Sequence, residues 1–251
     1  MVDDASTRAR LADAFTAVCP SPDRLIMPPG YRDSALALID AIFSMQARYE
    51  GARRVVANYA RWVGLADTPG LPLDALEPDR HSVANLHARL GSMSAVEVAE
   101  HVFDNRSRHP RAKRLKAELV IEAAARLTDI GLRSRHDVAT LPTDASYPGQ
   151  KRAWADIRGL GPVTFEYFRM PCGAESSKPD VMILGWLEAV LGTRHTWQQA
   201  LVLVSALAEE LTVRWGIHVS QRGVDHTIWR HQSGRGLDPD APVGWKADVS
   251  R

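Results

Sequence analysis

Residues 157–164 read Ile157-Arg158-Gly159-Leu160-Gly161-Pro162-Val163-Thr164, and their pattern sets the fold. KRAWADI (151–157) stands before them and VTFEYFRM (163–170) after, both with apolar residues at helical spacing. The natural reading is two short helices joined by a tight Gly-x-Gly turn. The glycines permit positive φ and let an anion approach bare backbone. Residues 161–164 then open a helix, whose unpaired N–H groups and positive end favour an anion. Pro162 suits a first turn, because its missing N–H would have gone unpaired there anyway. Such a hairpin can grip a nucleic-acid backbone without reading its sequence. A plain helix–helix connection carries the same local pattern.

The helical period continues outward on both sides. Residues 34–48 place Leu36, Ile39, Ile42 and Phe43 on one face, and 52–63 continue with Val55, Val56, Tyr59 and Trp62. A Pro/Gly/Asp-rich loop is expected over 64–80. Ser94 and Glu97 form a capping box ahead of an apolar stripe that runs to 103. Residues 111–130 predict a long helix, stopped by Gly131, with Leu115, Leu119, Ala123 and Leu127 on one side. Arg106, Arg108, His109, Arg111, Lys113, Arg114 and Lys116 crowd around its start. A solvated helix start accounts for such a run, yet positive charge there opposes the macrodipole and points that end at an anion.

Beyond a Pro-containing loop at 141–148 and the hairpin, Lys178-Pro179-Asp180 precedes the apolar residues Val181 to Leu187. Asp180 occupies the N-cap position of that helix, and Gly192 closes it. Two more helices are expected at 196–211 and 224–234, before a Pro/Gly/Asp-rich tail. Trp154 and Trp186 read as core residues. Strand alternation is nowhere sustained, so the expected class is all-α.

Composition narrows the function classes. The 251 residues are 45% hydrophobic and 24% charged, with 31 Lys+Arg against 30 Asp+Glu. A net charge of +1 leaves any nucleic-acid signal to local clusters. No apolar run reaches the ~18 residues of a membrane span, and MVDDASTRAR lacks a signal peptide's apolar region. Cys19 and Cys172 cannot by themselves build a disulfide scaffold or a four-thiolate metal site. Asp225, His226 and His231 lack ligand spacing, so they read as part of a packed terminal helix. A cytoplasmic protein without a metal cluster follows, nucleoid-associated if bacterial.

The order I-R-G-L-G-P-V-T, short helix, loop, P-D-V-M-I resembles the helix-hairpin-helix/Gly-Pro-Asp DNA glycosylase superfamily, with its L-P-G-V-G-x-x-T hairpin and V-D helix start. Ile42-Phe43-Ser44-Met45-Gln46 is similar to that superfamily's I-L-S-x-Q element, with Arg53-Arg54-Val55 fitting the same helix pair. Ala112-Lys113-Arg114-Leu115 is similar to its K-A-x-x-I helix start, shifted in detail. The matches keep the family's order over roughly residues 34–192.

The resemblance implies two helical lobes. A central lobe over 35–173 ends in the hairpin at 151–170, and 1–34 with 174–251 form a second lobe carrying Asp180, with a cleft between. It implies base flipping from double-stranded DNA and hydrolysis of the N-glycosidic bond, as in base-excision repair. Asp180 matches the catalytic aspartate. A carboxylate there stabilises an oxocarbenium-like sugar and orients or deprotonates the attacking water. Bifunctional members carry a lysine where this chain has Val163, and valine cannot form an imine, so an enzyme without lyase activity is expected.

Thr164-Phe165-Glu166-Tyr167-Phe168 looks like the T-A-E-Y-F of the 3-methyladenine glycosylase II group. That places Tyr167 and Val163 at the base pocket, with Glu166 as a surface charge. Gln46 matches the residue filling the gap left by the flipped base, and Tyr49 lies near enough to share the task. Backbone contacts fall to Gly159, Gly161, Val163, Thr164, Arg158, Lys178, Arg111, Lys113 and Arg114. No cofactor is expected, although the hairpin suits a structural monovalent cation, and no obligate protein partner is implied. The base stays open between an alkylated purine and a foreign or hypermodified base. A hairpin protein that binds DNA without cutting is the alternative.

Overall fold

Asp4 opens the first helix, α1 (Ala5–Val18), by accepting the Thr7 N–H at 2.8 Å. The computed structural model describes residues 4–28, 30–47, 49–65, 78–141, 148–234 and 236, and among these every regular element is helical. The class is all-α. Most of the loops expected at 64–80 and 141–148, and nearly all of the tail, lie outside the described residues. The chain divides into two compact units, Met1–Pro28 with Glu175–Arg251, and Pro29–Ala174.

The Pro29–Ala174 unit holds α2 (Ser34–Phe43), α3 (Tyr49–Trp62), α4 (Val83–Leu90) and the short α5 (Ala95–Glu97), which continues as a π-helical turn over Val98–Val102. Then come α6 (Lys116–Asp129), α7 (Arg135–Ala139), α8 (Pro148–Ala155) and α9 (Pro162–Arg169). All ten residues of α2 are buried, with α3, α4, α6 and α9 packed around it. SALALIDAIF is apolar nearly all round, and a helix of that kind belongs at the centre of a core. The sequence indicated one buried face over 34–48. The helix instead stops at Phe43, where the Lys116 ammonium donates to the carbonyls of Phe43 (2.9 Å) and Met45 (2.7 Å). Those carbonyls are left over at a helix C-terminus, where a cation is the favoured partner.

A second correction concerns α6, which begins at Lys116 rather than near Arg111. Residues 107–116 bond across themselves: His109 N–H to the Arg114 carbonyl, Lys113 N–H to the His109 carbonyl, and Lys116 N–H to the Ser107 carbonyl. Lys113 takes φ +60 within this loop. All the basic side chains of the cluster but Lys116 therefore lie ahead of the helix rather than in its first turns. Ser94 does form the expected capping box with Glu97.

In the other unit, α10 (Val181–Leu191), α11 (Trp197–Trp215) and α12 (Gln221–Gln232) join α1. Leu11, Phe15, Ile183, Trp186, Leu203, Leu207 and Ile228 form its core. Gly192 ends α10 at φ +75, the left-handed conformation usual just past a helix.

Candidate functional site

The turn at 156–161 is held from inside. Trp154 of α8 is fully buried, stacks on Phe168 of α9 at 5.7 Å and 4°, and donates its indole N–H to the Gly161 carbonyl at 3.1 Å. Ile157 and Leu160 are buried below the turn. Gly159 sits at φ +115, and a Cβ there would lie 3.1 Å from the Ala112 Cβ and 3.5 Å from the His109 ring. Gly161 differs from what the sequence led us to expect. Its φ is −136, ordinary extended backbone, with open space where a Cβ would go. One glycine is needed for conformation and packing, the other leaves room.

Room matters because α9 has no side-chain cap. Among the described residues, neither the Gly161 N–H nor the Val163 N–H has a hydrogen-bond partner, while Thr164 N–H bonds to the Gly161 carbonyl at 3.0 Å. Two open amides at the positive end of a helix form a receptor for an oxyanion. Gly159→Ala is expected to cost about 1–3 kcal/mol, the scale for a side chain forced into sparse backbone space. Gly161→Ala should leave thermal unfolding nearly unchanged yet crowd the amides and weaken the binding of an oxyanion there. Equal loss of stability in both variants would refute this division of labour.

The basic segment packs directly on this turn, through His109 and Ala112 against Gly159. Its cations differ in what they already hold. Arg114 is engaged by Glu118 (2.7 Å) and Glu122 (2.6 Å) and reaches the Arg158 carbonyl at 3.4 Å. It braces the turn against α6. Arg111, Lys113 and Arg158 are exposed. Arg108 donates to the Lys113 carbonyl at 2.7 Å, and Arg106 pairs with Glu100. A cavity of about 350 Å³ is lined by Val96, Arg106, Arg108 and Leu115.

The start of α9 also meets the turn that follows α2. Thr164 Oγ1 lies 3.6 Å from the Met45 sulfur, and Gln46, the next residue, is exposed at φ +47. Lys116 fixes this turn from below, and burial pulls its pKa down to about 8. Tyr167 is half-buried and donates its hydroxyl to Asp40 Oδ2 at 3.1 Å, which ties it to the central helix. Val163 is half-buried beside it on α9. Tyr49 is the first residue of α3; its side chain lies outside the described residues. Glu166 is not the expected surface charge. It is buried between Lys151 (3.1 Å) and Arg169 (2.9 Å), and the Lys151 pair ties α8 to α9.

Asp180 and Lys178 belong to the unit formed by α1 and α10–α12. Asp180 caps α10 with one oxygen: Oδ1 accepts from Met182 N–H (2.8 Å) and Ile183 N–H (3.4 Å). Among the described residues, Oδ2 accepts no hydrogen bond. The carboxylate thus caps the helix and still presents an oxygen outward. The loop before it rests on α12, where Glu175 Oε2 accepts the Gln221 N–H at 2.9 Å and Asp225 Oδ2 accepts the Lys178 N–H at 2.7 Å. Burial pushes the Asp225 carboxyl up to about 8, and the charge of Asp180 adds to the rise. The sequence offers Asp225 only as a metal-ligand candidate without ligand spacing, and nothing local signals its bond to the Lys178 amide. Among the described residues no group of His, Cys, Asp and Glu is placed to hold a metal, and no helix is long and apolar enough to cross a membrane.

The model of one protein family, described as Domain of unknown function (DUF8548), matches residues 9–233, and the chain belongs to that family. The match spans the hairpin, the basic segment, Asp180 and Asp225 alike. No curated protein and no solved structure matches the chain.

Proposed function

For this member of the DUF8548 family, we propose a monofunctional DNA glycosylase of the helix-hairpin-helix/Gly-Pro-Asp kind. It takes a damaged, mispaired or modified base out of the duplex and hydrolyses its N-glycosidic bond, leaving an abasic site. The observation that carries this reading is the pair of open amides, Gly161 and Val163, at the uncapped start of α9 behind a positive-φ Gly159. That geometry suits a phosphate of a nucleic-acid backbone. The exposed Arg111, Lys113 and Arg158 beside it would add counterion-releasing contacts.

Asp180 supplies the chemistry. As the sugar develops oxocarbenium character, the Asp180 carboxylate offsets the positive charge and orients the attacking water through the outward oxygen. Gln46 fills the vacated stack, and Tyr167 with Val163 borders the base. Val163 offers no amine, so the product keeps its strand intact until alkali is added. The exposed turn and positive φ of Gln46 favour the wedge role, since they present a polar side chain outside the core.

Base release from alkylated, deaminated, oxidised and hypermodified DNA, read by mass spectrometry with alkali treatment afterwards, tests the proposal. A freed base with alkali-dependent breaks is the expected outcome. Breaks before alkali would overturn the monofunctional assignment. Binding without release from any of these DNAs would favour a hairpin protein that binds and does not cut.

A further inference from the structure

The loop that delivers Asp180 is held from α12, and one of the anchors is a buried side chain two residues' reach from Asp180 itself. Asp225 is 5% exposed, and its Oδ2 accepts the Lys178 N–H at 2.7 Å. The Lys178 carbonyl in turn accepts the Asp180 N–H at 2.6 Å. Pro179 between them is buried and has no N–H to offer. The path from α12 to the capping carboxylate is therefore two hydrogen bonds long, through a segment stiffened by proline. Ser176 and Ser177 are buried just upstream, so the whole approach to Asp180 packs against the protein rather than looping into solvent.

We propose that Asp225 is the positioning residue of this site: through the Lys178 amide it sets the loop geometry that presents the outward oxygen of Asp180. The inference rests on the reading of Asp180 as the carboxylate of the reaction. Lys178 from the loop and Asp180 from the start of α10 are the charged groups that act on Asp225. Near neutral pH the buried carboxyl holds its proton, because burial and the neighbouring Asp180 both disfavour a second negative charge. A neutral acid can anchor the loop without adding an anion beside Asp180. An uncharged acceptor of the same shape should then do the same work.

Two variants and the wild type test this. Asp225→Asn keeps an oxygen for the Lys178 amide and carries no charge, so base release should stay within about threefold of wild type. Asp225→Ala removes the acceptor and should lower kcat about 10–100-fold with little change in the KM for DNA, the scale on which misplacement of a catalytic group acts. Loss of activity in the asparagine variant as deep as in the alanine variant would mean that the carboxyl itself does chemistry, and would overturn the positioning role. So would an alanine variant as active as wild type.

A second readout does not depend on base release. An aspartate whose pKa is raised on folding binds more protons folded than unfolded between about pH 4 and 8, so its contribution to stability falls as pH rises through that window. Wild type should lose thermal stability relative to Asp225→Asn from pH 5 to 8. The Lys178 amide resonance should titrate near pH 8 in wild type and stay flat in the asparagine variant. If wild type releases no base but these signatures appear, the glycosylase reading fails and the loop anchor stands. If the Lys178 amide shows no titration and Asp225→Ala leaves it unperturbed, the anchor itself fails.

Discussion

Asp180→Asn is expected to abolish base release, by about 10²–10⁴-fold, while leaving folding and DNA binding near wild type. The magnitude is that of a positioned general base, with loss of electrostatic support for the sugar cation on top. Asparagine is as good an N-cap as aspartate, so the bonds from Met182 and Ile183 persist with the amide oxygen in place of Oδ1. Helix-dipole stabilisation of a negative charge at the N-terminus is lost, which is worth about 0.3–1 kcal/mol. Separation of function from stability is the point of this variant. Single-turnover base release and thermal unfolding, measured side by side, decide it. A variant that still releases base at a near-native rate would reduce Asp180 to a helix cap and remove it from the proposed chemistry.

Trp154→Ala should have the largest effect on stability. The indole is fully buried, stacked on Phe168 and tilted against Phe165 at 5.5 Å. Truncation of a buried aromatic costs about 3–5 kcal/mol, and the lost bond to the Gly161 carbonyl adds about 1 kcal/mol. Against the 5–15 kcal/mol typical of a whole domain, such a loss leaves the Pro29–Ala174 unit partly unfolded at moderate temperature. Trp154→Phe separates the two contributions. It retains most of the packing but drops the N–H, so the fold should survive with a looser 156–161 turn and weaker DNA binding. Urea unfolding and binding to a short duplex measure each effect. A phenylalanine variant that binds DNA as wild type does would show that the Gly161 carbonyl needs no tether.

Those two side chains also mark how much of the protein is legible in its sequence. Trp154 announces itself as core by its neighbours, and Asp180 as a cap by standing ahead of an apolar run. Helix type, the Gly-x-Gly hairpin, the Ser94 and Glu97 box and the Gly192 stop are all local signals, fixed by residues within four positions of each other. The catalytic assignment of Asp180 and the roles of Gln46 and Tyr167 came from resemblance, which no local rule supplies.

Where the structure departs from the sequence expectation, bonds that apolar periodicity does not encode had intervened. The start of α6 moved because residues 107–116 bond across their own loop, an arrangement that apolar periodicity does not register. Lys116 left the basic cluster to clamp the end of α2, whose Phe43 and Met45 carbonyls lie more than seventy positions away in the chain. Glu166 looked like a surface charge until Lys151 and Arg169 enclosed it.

By itself the sequence determined the all-α class, the caps at Ser94, Asp180 and Gly192 and a tight hairpin, since backbone sterics and apolar spacing act over a few residues. The tertiary structure alone decided which charges are buried and what they hold. Asp225 shows why: its partner is the Lys178 amide, 47 positions back in the chain, and its raised pKa exists only when packing excludes water from both. Burial and long-range pairing are properties of the packed whole.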